Sequence, residues 1–187
     1  MRKFLLVGRT GVGKSSFINS TFGSYIANTS DFEACTKFVE HYAYDTPLGD
    51  VCLIDTPGLA EDDEACDRAY LSLVKSKVDL RSIHATLYLS RMDDTRFRPD
   101  EKRTLRLLTE QLGSSIWQRA ILVLTFAASV THSRVEETAI YKTQQIEEYL
   151  QLLIPHGFGR FKDVWLADNV VYNWTPNGVS ALSLLTS

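Results

Sequence analysis

The sequence predicts an α/β fold: a mostly parallel six-stranded sheet with one antiparallel edge strand and helices on both faces. Three observations carry this expectation. Six short runs of aliphatic, β-branched or aromatic residues alternate, over most of the chain, with segments of helical spacing, the pattern of parallel strands joined by crossover helices. The first run leads straight into Gly8-Arg9-Thr10-Gly11-Val12-Gly13-Lys14-Ser15, which fits GxxxxGK[ST] without a mismatch. The second and third runs are joined by a turn too short for a crossover, so that pair must be antiparallel.

Each element has its own reason. Phe4-Leu5-Leu6-Val7 is long enough for one buried strand, and residues 16–22 can start a helix with Phe17, Ile18 and Phe22 turned inward. Residues 23–36 are rich in Ser, Thr, Asn and Asp without a period, which marks a long loop of the kind that signals function or disorder. Residues 38–44 read as a strand from their aromatic and β-branched content, Thr46-Pro47-Leu48-Gly49-Asp50 as a turn, and Val51-Cys52-Leu53-Ile54 as a buried strand. Ala69, Leu73 and Val74 give residues 65–78 a helical stripe. Residues 85–89 form the next buried strand. Pro99 opens a helix that Gly113 closes, with Leu105, Leu108 and Leu112 on one face. Residues 120–124 are a strand, 134–153 a long amphipathic helix stopped by Pro155, and 163–167 the last strand. Val179, Leu182 and Leu185 mark a final helix.

Bulk properties narrow the function. At 187 residues the chain is expected to be a single domain with a proper core. Its 20 basic and 23 acidic residues give a net charge of −3, which offers no electrostatic case for nucleic acid. No apolar run approaches the length of a membrane span. Three widely spaced cysteines suit a reducing compartment, and four scattered histidines form no zinc pattern. The expected location is cytoplasmic, with room for peripheral attachment at a membrane.

The chemistry is concentrated around the glycine-rich loop. Main-chain N–H groups there can wrap a polyphosphate, and the helix that follows adds partial positive charge at the same point. The expected nucleotide-binding set is Gly8, Arg9, Thr10, Gly11, Val12, Gly13, Lys14, Ser15 and Ser16, with Lys14 reaching the terminal phosphates and the Ser15 hydroxyl a ligand of Mg²⁺. Asp55-Thr56-Pro57-Gly58 lies 41 residues after Lys14 at the end of a buried strand. Asp55 there can hold the metal through water, and Gly58 can present a bare N–H to a γ-phosphate.

Phosphate loop, a threonine in the intervening polar loop, then Asp-Thr-Pro-Gly resembles the order of GTPases of the translation-factor-related class. Thr36 matches their switch threonine, which would meet γ-phosphate and Mg²⁺; Thr29 is its rival by position. The middle of the chain resembles the paraseptin branch, comprising the chloroplast outer-envelope import receptors (the Toc family) and the immunity-associated GTPases. The likeness rests on Leu87 to Phe97, a strand followed by an Arg-hydrophobic-Asp loop with a second arginine, and on Ser115 to Thr125, a strand carrying the base-recognition box. It implies a P-loop G domain that binds GTP or GDP with Mg²⁺ and forms a nucleotide-dependent homodimer, leaving room for a protein effector.

This chain also departs from the pattern. The usual Asn-Lys-x-Asp box reads Thr125-Phe126-Ala127-Ala128, so Thr125 and Phe126 would meet the base without a carboxylate. Asp168 and Asn169, matching an acidic residue followed by asparagine in the family, are the replacement; Asp168 also has a plain reading as a strand-end cap. Leu59 follows Asp-Thr-Pro-Gly and cannot orient water as a glutamine does, so hydrolysis should be slow. Lys14, Thr36, Gly58 and Arg96 form the expected catalytic set. Arg96 matches an arginine at the family's dimer interface, and its alternative is a solvated surface side chain. Two competing functions stay open, a non-hydrolysing dimerisation scaffold and a phosphate-loop ATPase or kinase.

Overall fold

A computed structural model describes residues 1–28, 38–45, 49–60 and 63–167. Thr29, Thr36, Asp168, Asn169 and the expected final helix lie outside the described residues. Six strands, β1 (Arg2–Gly8), β2 (Glu40–Tyr44), β3 (Val51–Asp55), β4 (Ala85–Arg91), β5 (Ala120–Thr125) and β6 (Asp163–Leu166), form one sheet in the order β2-β3-β1-β4-β5-β6. Every pairing is parallel except β2 with β3, where Tyr42 faces Leu53. The mostly parallel sheet with one antiparallel edge strand is therefore as the sequence predicts.

Helices cover both faces. Helix α1 (Lys14–Phe22) packs Phe17, Ile18 and Phe22 against Phe4, Leu6, Leu53 and Leu87. Helices α2 (Glu64–Lys77), α3 (Pro99–Leu112) and α4 (Val135–Leu153) lie on the other face, where Leu71, Leu105, Leu108, Ile146 and Leu150 meet Leu5, Val7, Ile54, Leu122 and Leu124. The split follows from strand alternation: Leu5 and Val7 point to one face, Phe4 and Leu6 to the other. No helix among the described residues is long and apolar enough to cross a membrane.

Some boundaries differ from the sequence reading. Helix α1 begins at Lys14 rather than residue 16, because Gly13 (φ 86°) sits in the left-handed region and turns the chain directly into the helix. Strand β2 begins at Glu40, leaving Phe38 exposed. The buried stripe of α2 is Asp67, Leu71 and Val74, whereas Ala69 faces solvent. A count of apolar residues alone misplaces that face, since one of its positions is a carboxylate.

Candidate nucleotide site

The carboxyl ends of the parallel strands converge on Gly8, Asp55, Arg91, Thr125 and Leu166. The chain leaves β1 into α1 on one face and leaves β3 into α2 on the other, so a crevice opens between these neighbouring strands. Open α/β sheets bind ligands at such a switch point.

Lys14 and Ser15 open α1 at this crevice. The Lys14 side chain is buried, and its ammonium donates to the Arg9 carbonyl at 3.1 Å and the Gly8 carbonyl at 3.5 Å. The Ser15 hydroxyl donates to Asp55 Oδ2 at 3.0 Å. Asp55 is fully buried, and its Oδ1 accepts from the Thr56 N–H at 3.0 Å. A hydroxyl and a buried carboxylate at hydrogen-bond distance, beside a loop shaped for phosphate, are hard oxygen donors that fit Mg²⁺. That ion takes one or two protein ligands and completes its shell with phosphate and water. Among the described residues, no group of three His, Cys, Asp or Glu side chains could hold a metal.

The loop is braced from three sides. The Thr125 hydroxyl, fully buried, donates to the Val12 carbonyl at 2.8 Å and lies 3.3 Å from the Ser90 carbonyl. Thr125 therefore ties the end of β5 to the loop. The Thr56 hydroxyl donates to the Leu6 carbonyl at 2.7 Å. The segment after Asp-Thr-Pro-Gly pairs with the loop as a short parallel bridge, Thr10 N–H to Leu59 carbonyl at 2.9 Å and Leu59 N–H to Gly8 carbonyl at 3.3 Å. Gly58 lies so close that a Cβ there would meet the Thr10 Cα at 2.6 Å and the Thr10 nitrogen at 2.8 Å. Leu59 is buried in the core, which removes it from any role in holding water.

On the base side, Phe126 adopts φ 57° and carries the Arg91 guanidinium 3.8 Å from its ring centroid. Arg91 is itself held by Asp93 through bonds of 2.9 and 2.7 Å. This cation–π stack gives a fixed flat surface beside the strand ends. Arg96 is exposed and makes no ion pair with any described residue.

Sequence reasoning missed a buried polar network behind the loop. The Lys142 ammonium, on α4, bonds Glu101 Oε2 and the Asp94 carbonyl, both at 2.8 Å, with Lys142 and Glu101 each 1% exposed. Glu101 also accepts from Ser90 and, at 3.4 Å, from Tyr88. Burial, then the Glu101 charge, hold the Tyr88 phenol well above its ordinary value. Arg9 pairs with Asp94 at 3.2 Å and with Asp100. Burial pulls the Arg9 guanidinium down, but Asp100 and Glu101 outweigh it and the net shift is upward. One signal was present in the sequence: Lys142 falls in register with Ile146 and Leu150 on the buried stripe of α4.

Comparison with known proteins agrees with this geometry. The sequence model of the AIG1 family matches residues 2–160. Translocase of chloroplast 90 from Arabidopsis thaliana is 35% identical over 144 residues, 75% of this chain and 18% of its own. GTP-binding protein A from Dictyostelium discoideum is 35% identical over 127 residues, 67% of this chain and 28% of its own. This chain thus spans less than a third of either relative. Among solved structures, Toc33 from Arabidopsis thaliana, as a dimerisation-deficient arginine-to-alanine mutant, superposes with a TM-score of 0.83 at 25% identity, covering 99% of this chain and 81% of that one. The same protein in complex with GDP and Mg²⁺ gives 0.80 at 24% identity over the same shares.

Proposed function

Because this chain belongs to the AIG1 family, we propose that it is a nucleotide-dependent switch: a single G domain that binds GTP or GDP with Mg²⁺, hydrolyses GTP slowly and dimerises through its nucleotide face. The observation that carries the reading is the contact of Ser15 Oγ with Asp55 Oδ2 at 3.0 Å beside the buried Lys14. It places a serine, a carboxylate and a cation at the carboxyl end of the sheet, where a phosphate loop needs them. Relatives described as a GTP-binding protein and as a GDP–Mg²⁺ complex support the same nucleotide class.

In this reading the loop N–H groups and Lys14 bind the β- and γ-phosphates, and Ser15 with Asp55 holds Mg²⁺, which neutralises phosphate charge. Gly58 offers its N–H to the γ-phosphate, and Thr36 completes the metal side. Phe126, fixed by Arg91, stacks on the base, while Asp168 and Asn169 read its edge. With Leu59 in the core, the position after Asp-Thr-Pro-Gly orients no water, and Arg96 from a facing copy supplies positive charge to the transferring phosphate. We place the protein in the cytoplasm, with any membrane association peripheral, and expect an effector to read the switch segments. The buried Leu59 also favours a second reading, a scaffold that dimerises on GTP without turning it over. Single-turnover hydrolysis separates the two: slow release of phosphate supports the switch, and intact GTP after many hours supports the scaffold. Binding of GTP, ATP, CTP and UTP in parallel tests the base; equal affinities would remove guanine from the account.

A further inference from the structure

Arg9 joins three parts of the molecule. Its backbone pairs with Leu59, and its carbonyl receives Lys14. Its side chain, only 13% exposed, is directed to the loop between β4 and α3 and to the first turn of α3: one guanidinium nitrogen lies 3.2 Å from Asp94 Oδ2 in the loop, and another bonds Asp100 in the helix. That loop carries Arg96 and is held at its ends by apolar and backbone contacts, Met92 buried with its N–H on the Thr125 carbonyl at 2.9 Å and Phe97 edge-on to Tyr149, while its middle is held by charge. Arg98 bonds Asp94 Oδ1 at 3.1 Å, and the buried Lys142 holds the Asp94 carbonyl at 2.8 Å. Exposed ion pairs contribute little, but a guanidinium fork held between two carboxylates in a largely buried setting fixes geometry as well as charge. Arg96 itself is exposed and has no ion-pair partner among the described residues, so the loop that carries it sets its position.

We propose that Arg9 is a positioning residue that couples the phosphate loop and the Leu59 segment to the Arg96 loop through Asp94 and Asp100. A γ-phosphate that moves the loop backbone then changes the order of residues 94–98, and through them self-association. The inference rests on the nucleotide-switch reading above. Coupling of this kind is reciprocal: whatever the triphosphate does for the Arg96 loop, ordering of that loop returns to triphosphate affinity.

Hydrogen exchange on the full chain tests it, with GDP·Mg²⁺ and with a non-hydrolysable GTP analogue·Mg²⁺, below the concentration at which the protein associates. Amides of residues 92–98 should exchange differently with the two nucleotides in the wild type, by a factor within the usual coupling range of roughly 5–150-fold. Asp94→Asn and Asp100→Asn should each bind GDP like the wild type yet lose most of that difference, and Arg9→Lys should keep part of it. Two independent carboxylate variants guard against one failing to fold. A clamp with a merely structural role predicts something else: faster exchange with both nucleotides and an unchanged difference. That result, or a wild type whose 92–98 exchange ignores the γ-phosphate, overturns the coupling. Calorimetry on the same samples keeps the two ideas apart. Wild-type protein that binds neither nucleotide removes the switch reading along with the coupling, whereas failure to associate leaves the exchange result standing.

Discussion

Lys142 shows what a single residue contributes to this fold. Its ammonium bonds Glu101 and the Asp94 carbonyl, and the Lys142 and Glu101 side chains are each 1% exposed. Lys142→Ala leaves the Glu101 carboxylate buried without its cation, a loss of about 3–5 kcal/mol in such settings. The denaturant midpoint should fall accordingly, and Lys142→Met combined with Glu101→Gln should recover much of the loss. Equal stability of wild type and Lys142→Ala would mean that water reaches the pair. The functional residues differ in how legible they were. Lys14, Ser15 and Asp55 stand in motifs whose spacing predicts that they come together, and the structure brings the last two to 3.0 Å. Lys142, Glu101 and Asp67 stand in no motif, Arg9 fills a position the motif leaves open, and a charge within a helical stripe is ordinarily read as solvated. Thr125 ends β5 where the sequence predicts it, and its hydroxyl bond to the Val12 carbonyl was not legible there. Sequence locates a side chain on a strand without saying to which carbonyl it bonds.

Among the elements, the segment Gly58–Leu59 has the tightest fit. It pairs with the phosphate loop, and a Cβ at Gly58 would sit 2.6 Å from the Thr10 Cα. Gly58→Ala must push the two backbones apart, an overpacking cost of about 1–3 kcal/mol. Because the proposed switch gives the displaced N–H to the γ-phosphate, the variant should lose affinity for GTP more than for GDP. Calorimetry with both nucleotides checks this, and an unchanged GTP-to-GDP ratio would take Gly58 out of γ-phosphate sensing. The element order and the sheet faces were readable because strand alternation and motif position constrain each other. The short turns after β5 and after Leu112, and the rotated face of α2, were not. They depend on which neighbour accepts a hydrogen bond, as Asp67 does from the Ala60 N–H at 2.9 Å.

At the scale of the whole molecule, the proposed switch joins nucleotide binding to self-association through an exposed Arg96. Hydrolysis per subunit should rise with protein concentration, and Arg96→Ala should flatten that rise while leaving monomer affinity for GTP unchanged. Sedimentation and turnover over a hundred-fold concentration range decide it; a flat wild-type rate across association removes Arg96 from catalysis. Asp168→Ala should reduce the GTP-over-ATP ratio by roughly ten- to a hundred-fold, the worth of a lost charge-assisted hydrogen-bond pair of about 1.5–3 kcal/mol. Competition binding measures that ratio, and an unmoved value shifts base reading to main-chain groups near Phe126. The account as a whole depends on the phosphate loop, so its most direct test is calorimetric titration of the wild type and Lys14→Ala with GTP·Mg²⁺. The wild type should bind one equivalent, with the heat reduced when Mg²⁺ is chelated, and Lys14→Ala should show no binding. Wild-type affinity in Lys14→Ala would contradict the account.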